Sequence, residues 1–287
     1  MQVIVTTDVE EARKLVAEGY IPVEATYGSE SVHDRSVPLL SLDHHGEFSD
    51  LECPTIRAQK EFLGQGAAPN GSRYNGSRYV LSHVDADAFL TVMGLEGYDL
   101  PESFVQRAAF VDVHGHHKVP KEERRSPEYI RLTLINDMLN RLKGFGEAEF
   151  RKAIQILQLP DDSQTIADRI ERLEVRRERI LTNCIVEGKF VFLPADEYGL
   201  DIAYELGDFV VAYHTKDRYI TIGAQDLETV RGYSFPDHGL RAFWPLLGPG
   251  WGGRETIGGS PRGERMTMQQ AWDAFKLLKK RAERKVV

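Results

Sequence analysis

Cysteine is scarce in this chain: Cys53 and Cys184 are its only two in 287 residues. Two cysteines so far apart imply no disulfide framework and make a reducing, cytoplasmic compartment the expectation. No apolar window approaches the length of a membrane span. The first residues, MQVIVTTDVEEARKL, lack the charged segment and apolar core of a leader. Membrane association is therefore not expected. Positive charge is also in deficit, with 36 Lys and Arg against 44 Asp and Glu and a formal charge of -8. That balance argues against adhesion to long duplex nucleic acid, though it leaves room for a local basic groove. The remaining composition, 41% hydrophobic and 28% charged, is that of a soluble globular protein with one large domain or two smaller ones.

Histidine, by contrast, is concentrated. Seven of the nine lie between His33 and His117, less than a third of the chain. They fall where short apolar runs end. Gln2 to Thr6, Ile21 to Ala25, Pro38 to Leu42, Ser77 to Val80 and Ala108 to Val111 read as strands. Val9 to Gly19, Thr55 to Leu63 and a segment opening at Phe89 read as helices. Alternating strands and helices predict a parallel, doubly covered sheet, whose functional groups gather at the carboxyl ends of the strands. Three of these runs lead into Asp43-His44-His45, His83-Val84-Asp85-Ala86-Asp87 and Asp112-Val113-His114-Gly115-His116.

The second cluster is the most informative. One imidazole and two carboxylates at alternate positions project together, and such carboxylates repel unless a cation lies between them. His with Asp suits Mn²⁺, Zn²⁺ or Mg²⁺. The competing reading is a polar turn with Asp87 as a helix N-cap.

Further along, 126–142, 148–157 and 164–187 read as helices, the last a charged connector whose arginines are balanced by glutamates. Residues 190–193, 209–213 and 219–223 read as strands, with a hairpin tip at 215–218. A closing helix spans 266–280. The fold class is thus α/β: a parallel-sheet N-terminal domain (1–145), a helical linker (146–188) and a smaller α+β C-terminal domain (189–287). Residues 64–75, rich in Gly, Asn and Ser, read as a surface loop. The glycine-rich run 248–263 contains Gly252, Gly253, Arg254, Gly258, Gly259 and Arg262. Arginines beside backbone that tolerates close approach suit a phosphate or carboxylate; a long turn is the plainer alternative.

Taken together, these residues resemble the DHH phosphoesterase superfamily. Asp43-His44-His45 is similar to its signature, the His83–Asp87 stretch to its first metal motif, and Val111-Asp112 to the motif carrying its bridging aspartate. GWGGRETIGGSPRG resembles the substrate loop of the associated C-terminal domain. The family places the His83-type motif first and DHH last, so the order here would require either a permuted chain or a DHH string that arises by coincidence.

The resemblance implies two divalent ions, in the first place Mn²⁺, with Zn²⁺, Fe²⁺, Co²⁺ or Mg²⁺ as alternatives. His83, Asp85 and Asp112 would hold one, and Asp87, Asp112 and His44 the other. His45 would touch a substrate phosphate and Asp43 would orient His44. Arg254, Arg262 and the loop glycines would grip the rest of a small anionic substrate. Asp50 is a further acidic candidate, while His114 and His116 match no family position and offer an additional site. The expected activity is hydrolysis of a small phosphorylated compound: a short oligonucleotide, cyclic dinucleotide, nucleotide or pyrophosphate. Non-phosphate hydrolysis on the same scaffold, or ligand binding without catalysis, are the alternatives. A homodimer is compatible with all three.

Overall fold

The computed structural model describes residues 1–27, 30–33, 42–43, 51–63, 76–140, 142, 144–233, 235, 238–261 and 263–283. The chain separates into two compact units, Met1–Ile170 and Glu171–Val287.

The first unit begins with β1 (Gln2–Val5), α1 (Val9–Ala17) and β2 (Ile21–Val23). Asp8 opens α1, its carboxylate accepting from the N–H groups of Glu10 and Glu11. A two-rung hairpin follows, β3 (Thr26–Tyr27) with β4 (Glu30–Ser31). Next come α2 (Pro54–Leu63), β5 (Arg78–Leu81), α3 (Ala86–Leu95) and α4 (Glu102–His114). Then follow α5 (Pro127–Leu139), α6 (Glu147–Leu157) and α7 (Gln164–Asn183), which crosses from one unit to the other.

Among the described residues the strands form a parallel sheet in the order β1-β5-β2. Leu42 adds a parallel bridge to Val23 on the far side of β2. Tyr79, Val80 and Leu81 of the central strand are fully buried, as expected of a parallel strand covered on both faces. The predicted strand 38–42 is represented only by Leu42; the rest of it, and the loop 64–75, lie outside the described residues.

Helix α3 is buried at nine consecutive positions from Asp87 to Leu95. A helix apolar all round belongs in an interior. It packs against α2, α4, α5 and β2, and Phe89 meets Phe145 and Phe150 edge-on, with ring centroids 5.0 and 5.3 Å apart.

One predicted strand is a helix. Ala108 to Val111 lies inside α4, whose buried residues Phe104, Val105, Ala108, Ala109 and Val111 follow a helical spacing. Four consecutive apolar residues do not by themselves distinguish a buried strand from a buried helical turn. Asp112 is therefore carried on the last turn of a helix, not at a strand end. Gly115 (φ +82°) terminates α4 in a conformation that side-chain-bearing residues avoid.

The second unit holds a six-stranded mixed sheet: β6 (Ile185–Glu187), β7 (Phe190–Ala195), β8 (Phe209–His214), β9 (Tyr219–Ala224), β10 (Gly252–Gly253) and β11 (Ile257–Gly259), in the order β10-β11-β9-β8-β7-β6. The 164–187 prediction overran: its end is β6, paired antiparallel with β7 through a turn at Gly188 (φ +64°). Short helices α8 (Leu200–Ala203), α9 (Leu227–Gly232) and α10 (Trp244–Leu247) fill the connections. The closing helix α11 (Met268–Ala282) lays Ala271, Ala274, Phe275 and Leu278 into the core with Phe192, Phe209 and Val211. The 215–218 hairpin tip joins β8 to β9, with Arg218 at φ +59°. Among the described residues no helix is long and apolar enough to cross a membrane.

Candidate metal centre

Parallel strands deliver their carboxyl ends to one edge of a sheet. At that edge Glu24 follows β2, Ser82 and His83 follow β5, and Asp43 follows Leu42. Glu24 sits in the left-handed region (φ +47°) and is 1% exposed. That conformation costs a non-glycine residue about 1–2 kcal/mol. It is held by the Glu24 N–H donating to Leu42 O (2.8 Å) and by the Ser82 hydroxyl donating to Glu24 O.

His83 Nε2 is 2.8 Å from Asp85 Oδ2 and 3.7 Å from Glu24 Oε2, while its Nδ1 is 2.8 Å from the Ser82 hydroxyl. The hydrogen bond to Asp85 raises the His83 pKa above its ordinary value; burial opposes the shift, and the charges of Asp85, Asp112 and Asp43 add to it. The imidazolium–carboxylate contact thus contributes stability that is fully present below the ordinary histidine value. It is lost as pH rises through the raised one. In metal-free protein, the His83 ring resonances are expected to titrate above the usual value, about 6.5, and Asp85→Asn to bring that midpoint down. An unchanged midpoint in the variant would remove Asp85 as the cause.

Asp85 also caps α3, its Oδ1 accepting from Ala88 N–H at 2.9 Å. The capping residue of this turn is therefore Asp85, not Asp87. Because a carboxylate has two oxygens, capping with one leaves the other facing His83.

Asp87, in the first turn of α3, is 1% exposed. Its Oδ1 accepts from Cys53 Sγ (2.7 Å), Thr55 N–H (3.3 Å) and the Thr55 hydroxyl, whereas its Oδ2 is buried with no hydrogen-bond partner. Burial, and next the charge of Asp112, push the Asp87 pKa up; the bonds from Cys53 and Thr55 oppose this. Cys53 precedes the first turn of α2, so the start of that helix delivers both Cys53 and Thr55 to this carboxylate.

Among the described residues, two groups of three have ligand atoms within 4.8 Å of one another: Glu24, His83 and Asp85, and Cys53, Asp87 and Asp112. Five predicted residues thus share one region, since Asp43 and Asp112 act electrostatically on His83, and Asp112 and Asp85 on Asp87. The donor set fits a divalent cation. A buried carboxylate oxygen without a partner, beside another carboxylate, is unfavourable until a positive charge joins it.

Asp43 is completely buried, with the Thr26 hydroxyl donating to its Oδ2 and His33 Nε2 at 3.4 Å. His33 Nε2 also accepts from the Ala25 N–H at 3.0 Å.

His44, His45, Asp50 and Arg262 lie outside the described residues. His114 is exposed at the end of α4, 4.7 Å between ring centroids from Phe110, and His116 Nδ1 is 2.9 Å from the Tyr129 hydroxyl. Among the described residues neither belongs to the two groups of ligating atoms. Sequence reasoning missed Glu24, Cys53 and Thr55. Glu24 was discoverable, because it follows an apolar strand as His83 does. Nothing local marks Cys53, whose place depends on how α2 packs against α3.

The glycine-rich run is an edge hairpin: Gly252 pairs with Gly259 and Gly253 with Gly258, and β11 then pairs with β9. The Arg254 N–H is spent on Ile257 O (2.7 Å), closing the hairpin turn. A Cβ on Gly258 would lie 2.4 Å from Gly252 O and 2.5 Å from the Trp244 ring, whereas one on Gly252 would meet nothing within 4 Å. Close packing accounts for Gly258, and Gly252 is left exposed.

No family model matches the chain, and no curated protein matches it by sequence. Among solved structures, PggH, a pGpG-specific phosphodiesterase from Vibrio cholerae, shares 14% identity over 72% of this chain and 76% of its own, with a TM-score of 0.39. An exopolyphosphatase-related protein from Bacteroides fragilis shares 13% over 71% of this chain and 59% of its own, at 0.25. An uncharacterized protein from Helicobacter pylori G27 shares 10% over 96% and 87%, at 0.22. At TM-scores this low the likenesses carry no argument.

Proposed function

We propose that the chain is a divalent-metal-dependent phosphohydrolase acting on a small phosphorylated substrate. The observation that carries this reading is the pair of ligand groups, Glu24-His83-Asp85 beside the carboxyl ends of β2 and β5 and Cys53-Asp87-Asp112 at the start of α2 and on α3 and α4, linked by the charge of Asp112 on both His83 and Asp87. Asp112 is the proposed bridging residue, because its charge acts on both His83 and Asp87. Bound ions would supply an acidified water and a clamp for the phosphoryl group.

The chain's own residues set up that chemistry. Ser82 and Asp85 hold the His83 ring from its two nitrogens. Thr55 holds one Asp87 carboxylate oxygen, and the other, buried without a hydrogen-bond partner, would be available to an ion. The sheet edge assembles these groups before any ligand arrives, which lowers the reorganisation required for binding. If the DHH resemblance holds, His44 would join the second ion and His45 would meet the substrate phosphate.

The test is a Mn²⁺-dependent screen against nitrophenyl phosphate esters, linear and cyclic dinucleotides, nucleotides and pyrophosphate. Asp112→Ala is expected to lower turnover of the best substrate by on the order of 10³-fold, since a bridging ligand serves both ions. Equal turnover in the variant would remove the bridging role. Retention of less than one equivalent of Mn²⁺, Zn²⁺ or Fe²⁺ under saturating conditions would reject the metal-dependent reading altogether.

A further inference from the structure

The two ligand groups are chemically unequal. Glu24, His83 and Asp85 offer oxygen and imidazole nitrogen, while Cys53, Asp87 and Asp112 offer one sulfur and two carboxylates. We propose that Cys53 is itself a metal ligand, so that the inner half of the centre holds its ion through a thiolate and selects Zn²⁺ over Mn²⁺ and Mg²⁺. This inference rests on reading the site as a metal centre and goes beyond it, because nothing in the DHH resemblance supplies a sulfur donor.

Three observations carry it. The Cys53 Sγ and a carboxylate oxygen from each of Asp87 and Asp112 lie within 4.8 Å of one another, close enough to share one ion. Independently, Asp87 Oδ2 is buried without a hydrogen-bond partner, so the group already contains an acceptor lacking a positive neighbour. Finally, the Cys53 hydrogen bond to Asp87 Oδ1 is dispensable. Both the N–H and the hydroxyl of Thr55 donate to the same oxygen, which stays satisfied when the thiol proton leaves.

The position of the sulfur is set by the backbone. Cys53 O accepts from Arg57 N–H (3.2 Å) at the start of α2, and the residue is 4% exposed. A cavity of about 680 Å³ is lined in part by Cys53, together with Ile56, Arg107, Phe110 and His114. Binding exchanges the thiol S–H bond for a sulfur–metal bond and releases one proton to solvent, with no change of oxidation state. Thiolate donors favour Zn²⁺ over the oxygen-seeking Mn²⁺ and Mg²⁺.

Co²⁺ reports sulfur ligation directly, through an intense near-ultraviolet charge-transfer absorption that oxygen and nitrogen donors do not produce. Metal-free wild-type protein titrated with Co²⁺ is expected to develop this band. Cys53→Ser should still retain Co²⁺ in equilibrium dialysis but lack the band, and its Zn²⁺ affinity should fall by roughly tenfold or more while that for Mn²⁺ changes less. If Cys53→Ser fails to fold, Cys184→Ser decides, because Cys53 is then the only thiol in the chain; its band should match the wild type's. Co²⁺ bound by the wild type without the band would overturn the assignment and leave the metal centre standing. Failure of the wild type to retain Co²⁺, Zn²⁺ or Mn²⁺ would overturn both.

Discussion

Asp87→Asn is expected to make the metal-free protein more stable than the wild type at neutral pH and, in the same molecule, to reduce metal-dependent hydrolysis by on the order of 10³-fold. The two effects have one origin. Burial and the neighbouring Asp112 raise the Asp87 pKa above that of an ordinary carboxyl. The folded state therefore binds this proton more tightly than the unfolded chain does. Stability attributable to the group is fully present below the unfolded value, about 3.9, and is lost as pH rises through the raised one.

Above that window the folded protein carries a buried carboxylate whose Oδ2 has no partner. An asparagine keeps an oxygen for Cys53 and Thr55 and removes the buried negative charge beside Asp112, relieving a penalty of about 1–3 kcal/mol. For a unit of this size that corresponds to a rise in Tm of about 2–4 °C per kcal/mol. Saturating Mn²⁺ or Zn²⁺ should stabilise the wild type, by about 2.7 kcal/mol per site at a hundredfold excess over Kd, and stabilise Asp87→Asn less, since only the group that lacks Asp87 remains intact. Thermal denaturation across pH, with and without metal, reads all of this. A metal-free variant less stable than wild type at neutral pH would contradict the assignment of Asp87 as a carboxylate kept at the expense of stability.

Gly258→Ala is expected to destabilise the second unit by about 1–3 kcal/mol, against less than about 0.5 kcal/mol for Gly252→Ala. The added methyl at Gly258 would press on the Gly252 carbonyl and the Trp244 ring at 2.4 and 2.5 Å, both fixed parts of the hairpin and its support. Neither obstacle is the free end of a flexible side chain, so relief requires the β10–β11 pair to separate. Chemical denaturation of both variants makes the comparison, and equal stabilities would show that the hairpin is not packed as described. Since Gly252→Ala leaves stability nearly untouched, a rise in KM in that variant would report contact between the loop and substrate rather than misfolding.

Where local chemistry decides the conformation, the sequence was legible. The β-branched run at Gln2–Val5 and the apolar runs at Ile21–Val23 and Arg78–Leu81 are the three parallel strands, and the turn at 215–218 is the expected hairpin. His83 and Asp85 do follow the end of β5, and Asp43 acts electrostatically on His83, so the strand-end pattern placed these three in one region. It reached Asp112 by a wrong route, since that residue rides on α4; the fourfold apolar run before it fits a strand and a buried helical turn equally well. The roles of Asp85 and Asp87 in the turn were not legible either. Both carboxylates stand where an N-cap is plausible, and the backbone of Asp85 is the one that is extended.

The sequence by itself determined that this is an α/β chain with imidazole and carboxylate groups clustered after its N-terminal strands, because strand period, helix period and residue chemistry are local properties. Only the tertiary structure decided that Glu24 is turned inward beside His83, that Asp87 is sealed into the core, and that Cys53 meets Asp87 and Asp112. Those placements depend on the parallel order β1-β5-β2 and on the packing of α2 and α4 against α3. They are contacts between segments distant along the chain, whose chemistry becomes shared only when burial brings them together.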